Sequence, residues 1–335
     1  MKIRTLSALV VLVLAVALAG WLLLSSPQQD DATLKVRLTW LDQAQFAGVY
    51  VAEDQGFYED AGLDVSVSPG GIEYPSIKMV AAGTDDIGLT SADQILIARE
   101  KGIPVVALAA MYQKSPVVLF SLKSSGITRP EDLRGKRIGF KYGDNTEVPL
   151  RALLRRFGIG PGDYEEVAVG YDATLLINGT VDVLPGFAMN EPLALKENGY
   201  ELNEIYLSDY GINFYADVLF TRADVLEAKG EAVRKFVAAT LQGYSYAIDH
   251  PDDAVAATLR RNREGNRTHE RGMLEASIPL WRPAPNAQLG MMSLANWASI
   301  QRVLLETAIQ GGSPLLQRPQ DLRAVINPSY LSPSQ

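Results

Sequence analysis

The 335-residue chain contains no cysteine and only two histidines, His250 and His269. The missing cysteines exclude disulfides, thiolate metal sites and cysteine nucleophiles. Both histidines lie in polar stretches typical of a solvated surface, which argues against a metal ligand or a catalytic base. We therefore expect no metal, no cofactor and no catalytic residue, and we predict that the protein is not an enzyme. Chemistry carried out by carboxylates is the enzymatic alternative that these absences leave open.

The chain also has fewer basic than acidic residues. The sequence has 31 Lys and Arg against 39 Asp and Glu, a formal net charge of −8, and it contains no basic tract. Such a chain is not expected to bind nucleic acid, because affinity for the phosphate backbone depends on clustered cations. Its 47% hydrophobic and 21% charged residues are typical of a packed globular protein, and its length allows about two domains.

One long apolar run is present near the N-terminus. Leu6–Leu24 is uncharged and follows two basic residues. A membrane-spanning helix needs about 17–25 residues, whereas a secretory apolar region has about 7–15. Residues 1–26 are therefore predicted to be an uncleaved membrane anchor, with a signal peptide cleaved after Ala17–Ala19 as the alternative. The basic residues place the rest of the chain in the periplasm or on the outer face of the cytoplasmic membrane, behind a tether of residues 27–33.

Short apolar stretches alternate with helix-like ones through the first two thirds of the chain. The first, TLKVRLTW at residues 33–40, alternates apolar and polar side chains and predicts a strand with Trp40 at its tip. Strands that alternate with helices predict an α/β fold built from doubly wound, mostly parallel sheets. A polar stretch after Ser121 predicts a crossing into a second domain, and YADVLFTR predicts the return strand.

These crossings divide the body of the chain into two lobes. Lobe 1 is expected to be discontinuous, with residues 34–120 and 216–330, and lobe 2 to comprise residues 121–215. A cleft between two such lobes is a common place for a small ligand.

Ligands of open α/β sheets bind beyond the carboxyl ends of the strands. We therefore regard the residues at the predicted strand ends as candidate ligand contacts: Trp40, Gly70, Gly71, Thr90, Ser91, Tyr142 to Asn145, Asn190, Glu191, Tyr210 and Tyr215.

Each candidate has a structural alternative. Trp40 continues an apolar face and is equally well explained as a core residue. Gly70 and Gly71 are typical of a turn. Asn190 and Glu191 fit the start of a helix, where a carboxylate faces the positive end of the helix dipole. The stretch GKRIGFKYG lacks the Gly-Lys-Ser/Thr ending of a phosphate-binding loop, so nucleotide binding is not expected.

Several motifs together resemble a known family. They are WLDQAQFAGVYVAEDQGFYEDAGLDVSVSPGG, SADQILIAREKGIPVVALAAMYQKSP, LRGKRIGFKYGDN, GFAMNEP and SDYGINFYADVLFTR. Over roughly residues 34–330 the chain resembles the substrate-binding proteins of ABC importers. The most similar branch binds thiamine-pyrimidine precursors and is related to the fungal thiamine pyrimidine synthases and to the aliphatic-sulfonate binding proteins.

The resemblance implies a two-lobed, type II periplasmic-binding fold with the ligand in the cleft between the lobes. It implies that Trp40 stacks on the ligand ring and that Glu191 hydrogen-bonds an aminopyrimidine edge. Tyr215 and Asp217 match positions beside the hinge and the pocket. Weaker matches implicate Gln43, Ser115 and Tyr142.

Two departures from the family pattern affect the predicted ligand and activity. The stretch LDQAQFAG carries Phe46 near the position where thiamine-precursor members and the synthases often have histidine. The cysteine-rich iron motif of the synthases is missing, so an enzyme that consumes its own histidine is not expected. The ligand is left open among a thiamine-related pyrimidine, a flavin and a hydantoin.

The resemblance thus predicts an extracytoplasmic solute receptor that closes on a flat nitrogen heterocycle and delivers it to an ABC permease. We expect a monomer. The alternative is a membrane-anchored sensor for the same class of heterocycle that feeds a signalling partner.

Overall fold

The structure is a computed structural model that describes residues 32–309 and 312–331. The predicted anchor and nearly all of the predicted tether lie outside the described residues. Within those residues, no helix combines the length and the apolar character needed to cross a membrane.

The strands and helices of the described residues follow the predicted alternation. The strands are β1 (Thr33–Arg37), β2 (Asp64–Ser68), β3 (Ile87–Thr90), β4 (Val105–Tyr112), β5 (Val117–Leu122), β6 (Arg137–Phe140), β7 (Glu165–Ala168), β8 (Leu184–Phe187), β9 (Leu202–Tyr206) and β10 (Ala216–Arg222). The α-helices are α1 (Ala47–Asp54), α2 (Phe57–Asp60), α3 (Ser76–Ala81), α4 (Ala92–Glu100), α5 (Glu147–Arg156), α6 (Thr174–Ile177), α7 (Glu191–Glu197), α8 (Ala223–Asp249), α9 (Pro251–Arg261), α10 (Arg267–Trp281), α11 (Leu294–Glu306) and α12 (Leu322–Val325).

The sheet of lobe 1 has the strand order β2-β1-β3-β10-β4. β1 pairs in parallel with β2 and β3, whereas β10 is antiparallel to both of its neighbours. The alternation of β1 has the predicted effect, because Leu34, Val36 and Leu38 are fully buried while Lys35 between them is exposed.

Lobe 2 repeats this arrangement. β6 pairs in parallel with β7, and β5 lies between β8 and β9, antiparallel to both. A parallel bridge from Ile138 to Val183 joins the two groups, which gives the order β7-β6-β8-β5-β9. In each lobe the strand that has crossed from the other lobe is fourth in order and antiparallel. The predicted two-lobed α/β fold with mostly parallel sheets is confirmed.

The first crossing lies earlier than predicted. The predicted crossing at Ser121 falls within β5, which pairs with β8 and β9 of lobe 2. The chain therefore leaves lobe 1 at residues 113–116, between β4 and β5. The apolar sequence of β5 did not indicate the crossing, because a buried strand has the same sequence pattern in either lobe. The second crossing lies at residues 211–215, just before β10.

Helix α1 is placed by close contact with the long helix α8. A Cβ atom on Gly243 would lie 2.1 Å from the Gly48 carbonyl oxygen, and one on Gly48 would meet the Tyr244 ring at 2.2 Å. Only glycines permit this approach. The helical stretch that begins at Ala47 is divided into α1 and α2, because Gly56 adopts a left-handed conformation with φ 75°. The packing of α1 fixes the loop before it, which enters the cleft.

Candidate ligand-binding cleft

A cleft lies between the two lobes, where the carboxyl ends of their strands face each other. Its inner part is a cavity of about 50 Å³ that draws its walls from both lobes. These walls are formed by Thr39, Trp40, Gln43, Gln45, Lys141, Asp144, Asn145, Thr146, Tyr171, Phe187, Asn190 and Glu191.

The outer part of the cleft is larger, about 370 Å³. It shares Thr39, Trp40, Lys141, Asp144, Asn145 and Tyr171 with the inner part, so the two parts are continuous. The remaining walls are formed by Gly71, Ile72, Pro75, Ser76, Ile77, Lys78, Thr90, Gln94, Tyr142, Gly143 and Val169.

Two aromatic rings meet across the cleft. Trp40 follows β1 in lobe 1, and Tyr171 follows β7 in lobe 2; their ring centroids are 4.7 Å apart and the planes are tilted by 45°. The Tyr171 hydroxyl donates to Asp144 Oδ2 at 3.0 Å. Burial, followed by the charge of Asp144, raises the pKa of Tyr171 well above its ordinary value, which keeps the hydroxyl a neutral donor. The two rings are in direct contact, so the pair joins the two lobes at the inner part of the cleft.

The backbone at Gly70 packs closely against the backbone of residues 38–40 and so supports Trp40. Gly70 N donates to the Trp40 carbonyl oxygen at 2.9 Å. A Cβ atom at position 70 would lie 2.1 Å from the Leu38 carbonyl oxygen. Gly70 therefore does not contact the cavity; its lack of a side chain allows the loop after β2 to support Trp40.

Glu191 is the first residue of α7, and its carboxylate also lines the cleft. Its Oε1 atom is paired with Lys141 Nζ, and its Oε2 atom accepts a hydrogen bond from Phe187 N at 3.1 Å. The two side chains of the pair are only 14% and 5% exposed. A Cβ atom on Gly186 would lie 2.7 Å from Glu191 Oε2, so glycine leaves room for the carboxylate. Glu191 thus both begins α7 and lines the inner part of the cleft.

Lys141 connects this carboxylate to the aromatic pair. It follows β6 directly, and its ammonium group lies 5.0 Å from the centroid of the Tyr171 ring. A buried ammonium group beside a carboxylate presents a hydrogen-bond donor next to an acceptor. This arrangement can read a ring edge that carries an acceptor and a donor on neighbouring atoms.

A second polar network lies at the floor of the cleft. Gln43 Nε2 donates to Gln45 Oε1, and Gln45 Nε2 donates to Asp217 Oδ2, each at 2.7 Å. Thr39 Oγ1 contacts Asp217 Oδ1 at 3.0 Å. Asp217 itself is buried behind this floor, and burial raises its pKa to about 7.

The other predicted contacts are divided between the cleft and the crossings. Gly71 and Tyr142 line the outer part, where the half-exposed Tyr142 donates to Glu166 at 2.8 Å. Ser91 is buried before α4 and does not line either part of the cavity. Ser115 and Tyr215 are buried at the two crossings, and the Tyr215 hydroxyl accepts a hydrogen bond from Ser293 N at 3.0 Å.

Sequence reasoning did not identify Tyr171, and it noted Lys141 and Gln45 only within motifs. A usable signal existed for two of them. Tyr171 follows β7 just as Trp40 follows β1, and Lys141 is the first residue after β6. Applying the strand-end rule to β7 would have found Tyr171. Lys141 was not selected because its neighbour Tyr142, an aromatic residue at the same strand end, was taken as the candidate contact.

Two α/β lobes, two crossings and a cleft lined from both sides define the two-lobed fold that periplasmic binding proteins share. A solved structure with the same fold is the periplasmic aliphatic sulphonate binding protein SsuA from Escherichia coli. It superposes with a TM-score of 0.65 at 15% identity, covering 81% of this chain and 89% of that one.

The family model described as NMT1/THI5 like matches residues 43–254. The chain belongs to this family, as the sequence resemblance predicted.

Named relatives include both binding proteins and enzymes. The riboflavin-binding protein RibY of Chloroflexus aurantiacus is 29% identical over 276 residues, 80% of this chain and 77% of the relative. The formylaminopyrimidine-binding protein of Halalkalibacterium halodurans is 26% identical over 287 residues, 82% and 86% of the two chains. The 4-amino-5-hydroxymethyl-2-methylpyrimidine phosphate synthase of Candida albicans is 28% identical over 232 residues, 65% and 68%.

Proposed function

We propose that this protein is the solute-binding receptor of an ABC importer and that it captures a flat nitrogen heterocycle. The observation that carries the proposal is the aromatic pair Trp40 and Tyr171, contributed by opposite lobes and flanked by Lys141 and Glu191. The names of two relatives support the ligand class, since riboflavin and formylaminopyrimidine both contain a flat nitrogen-bearing ring.

In the proposed complex, the ligand ring enters between Trp40 and Tyr171. Stacking on aromatic side chains suits any flat π-system and contributes about 1–3 kcal/mol per ring. The inner cavity of about 50 Å³ is smaller than the engineered cavity of about 150 Å³ that holds benzene, so the two rings must separate to admit a ligand. Separation of the lobes provides that movement.

Lys141 and Glu191 would read the edge of the ring. A donor beside an acceptor matches an aminopyrimidine edge and also the imide edge of a flavin or hydantoin. The ion pair favours a neutral ring over a protonated one, because Lys141 already balances the charge of Glu191. Water is excluded when the lobes close on the ligand, which strengthens both hydrogen bonds.

The outer part of the cleft would hold a substituent on the ring. Hydroxyl, amide and ammonium groups of Thr90, Gln94, Ser76, Asn145 and Lys78 line its volume of about 370 Å³. These groups suit a polar chain. A ring with a polar side chain, as in riboflavin, fills both parts, whereas a bare pyrimidine fills the inner part alone.

We propose binding without chemical conversion, although some relatives are named synthases. Neither histidine of the chain lies among the residues that line the cleft. The ionisable side chains at the aromatic pair are held by partners within the protein: Lys141 by Glu191, and Asp144 by Thr146 and Tyr171. The ligand would therefore leave the cleft unchanged.

Delivery requires a membrane partner. In this proposal the receptor acts as a monomer outside the cytoplasmic membrane, tethered by Leu6–Leu24, and passes its ligand to an ABC permease. A tether would raise the effective concentration of the receptor at its partner.

Calorimetric titration tests the ligand class. Riboflavin and formylaminopyrimidine are titrated separately, with an alkanesulfonate as the comparison because a sulphonate-binding protein shares the fold. Saturable binding of at least one heterocycle with one site per chain is the expected result. Binding of the alkanesulfonate alone would overturn the proposal. Tyr200→Phe is a suitable control, since this exposed side chain lines neither part of the cleft.

A further inference from the structure

Asp217 combines burial, an unusual backbone and a place beneath the cleft. Its side chain lies at the start of β10 and the residue is 1% exposed. Its φ of 44° makes it the one non-glycine residue with positive φ in the described part of the chain. Asp and Asn tolerate this left-handed region better than most residues do. Such a conformation persists only where the surroundings hold it in place.

The hydrogen-bonding groups around Asp217 can all be paired when its carboxyl group is neutral. Thr39 Oγ1 lies 2.8 Å from the Leu89 carbonyl oxygen and 3.0 Å from Asp217 Oδ1. A hydroxyl group has one proton, so Thr39 cannot fully serve two acceptors. If Asp217 Oδ1 carries a proton, it donates to Thr39, which then donates to Leu89. The other oxygen, Oδ2, accepts from Gln45 Nε2 at 2.7 Å.

The charges around Asp217 favour the same state. The ion pairs formed by the described residues do not include Asp217, and its hydrogen-bond partners Thr39 and Gln45 are neutral. The titratable groups that face it are the buried phenols of Tyr112 on β4 and Tyr244 on α8. Desolvation raises the pKa of Asp217 from 3.8 to about 7, because hydrogen bonds from Gln45 and Thr39 offset only part of the burial.

Two of the side chains held in this way line the inner cavity. Thr39 precedes Trp40 directly, and Gln45 is oriented from its other end by Gln43. Loss of the proton would leave Asp217 Oδ1 unable to donate a hydrogen bond to Thr39. Thr39 would then have to turn its own proton from Leu89 to Asp217, and a buried charge would lie behind the floor of the cleft.

We propose that Asp217 is a positioning residue whose neutral carboxyl group holds Thr39 and Gln45 at the floor of the cleft, and that ligand affinity falls when this group ionises. The inference rests on the proposed function, because it concerns the same cleft.

The test compares the parent protein with Asp217→Asn across a range of pH. An asparagine amide is a permanent mimic of the neutral carboxyl group: its oxygen accepts from Gln45 and its NH₂ group donates to Thr39. With riboflavin as the probe, the dissociation constant of the parent should rise by about tenfold per pH unit above about pH 7. The dissociation constant of Asp217→Asn should not change with pH over this range. The exposed Asp60→Asn variant is the matched control and should follow the parent.

A ligand-free arm separates this inference from the ligand assignment. The folded pKa of about 7 lies above the ordinary value of 3.8, so the native state keeps a proton that the unfolded chain has lost between these values. Its stability should therefore fall as pH rises through this window and level off above about pH 7. Melting curves should show this trend in the parent relative to Asp217→Asn. If Asp217→Asn does not fold, the melting profile of the parent is compared with those of two other single variants. One is the control Asp60→Asn, and the other is Thr39→Val, which lacks the hydroxyl group between Asp217 and Leu89.

The outcomes are distinct. Parallel melting profiles for the parent and Asp217→Asn would overturn the inference, and so would a melting difference accompanied by identical pH profiles of affinity. Failure of the proposed function would look different: neither riboflavin nor formylaminopyrimidine would bind to the parent or to any variant at any pH, while the melting difference persisted.

Discussion

Trp40 of lobe 1 and Tyr171 of lobe 2 lie ring against ring across the cleft, with centroids 4.7 Å apart. The contact links the two lobes at the point where their strand ends meet. A flat ligand can replace one aromatic contact by two, one on each face of its ring. This gain would favour the closed arrangement of the lobes around a bound ring.

Replacing Trp40 tests its contact with the ligand. Trp40→Ala should weaken riboflavin binding by about 1–3 kcal/mol, because it removes a stacking surface. Some stability will also be lost, since Trp40 packs against the core, but less than the about 3–5 kcal/mol expected for a fully buried tryptophan. Titration and ligand-free melting curves measure the two effects. Trp40→Phe, which keeps a ring, should recover most of the affinity. A lower melting temperature with unchanged affinity would mean that Trp40 is only a core residue.

Removing the charge of Glu191 should affect both binding and folding. Glu191→Gln leaves the buried Lys141 without its anionic partner, and breaking a buried pair in this way typically costs about 3–5 kcal/mol of stability. Losing a buried charge-assisted contact to the ligand costs a further about 2–5 kcal/mol of binding. Calorimetry and melting curves check the two losses.

A double variant distinguishes the two roles of the pair. Adding Lys141→Met to Glu191→Gln removes the unpaired charge, so stability should partly recover while affinity stays low. Recovery of affinity as well would show that Glu191 contacts Lys141 but no ligand.

Gly70→Ala should disturb the support of Trp40. The new Cβ atom would lie 2.1 Å from the Leu38 carbonyl oxygen, so the backbone must shift, at an expected cost of about 1–3 kcal/mol. Affinity should fall as well, because Gly70 N bonds the Trp40 carbonyl oxygen. Gly160→Ala is the control: no atom lies within 4 Å of its added Cβ, and neither stability nor affinity should change. Equal behaviour of the two variants would contradict this account of Gly70.

A side-chain contact between the lobes provides a further test. His269 Nδ1 on α10 of lobe 1 contacts Glu197 Oε2 on α7 of lobe 2 at 2.7 Å. Because both side chains are partly exposed, the pair should contribute no more than about 1 kcal/mol. Glu197→Gln should weaken ligand binding by at most about fivefold and leave the folding of each lobe unchanged. Lys196→Gln breaks a pair with Glu204 inside lobe 2 and should not affect binding. The same loss in both variants would exclude a role for the contact in lobe closure.

Much of the architecture could be predicted from the sequence because its signals are local. The period-two pattern of residues 33–40 determined the buried face of β1 and the position of Trp40 beyond it. Asn190 and Glu191 were found because a short apolar strand ends just before a helix start. Each signal requires only a few neighbouring residues.

The remaining features depend on contacts between distant residues. Lys141 pairs with Glu191 across 50 positions, and Asp217 bonds Gln45 across 172. The sequence contains no local sign of either partner. The first crossing was misplaced for a similar reason, since the side chains of β5 are equally compatible with burial in either lobe.

Mass spectrometry of released small molecules tests the central claim most directly. The purified protein is incubated with equal concentrations of riboflavin, formylaminopyrimidine and an alkanesulfonate, separated from free ligand and denatured. We predict that one heterocycle is recovered with its mass unchanged, at about one molecule per chain, and that Trp40→Ala retains far less of it. Retention of the sulfonate instead, or recovery of a heterocycle with an altered mass, would contradict the account.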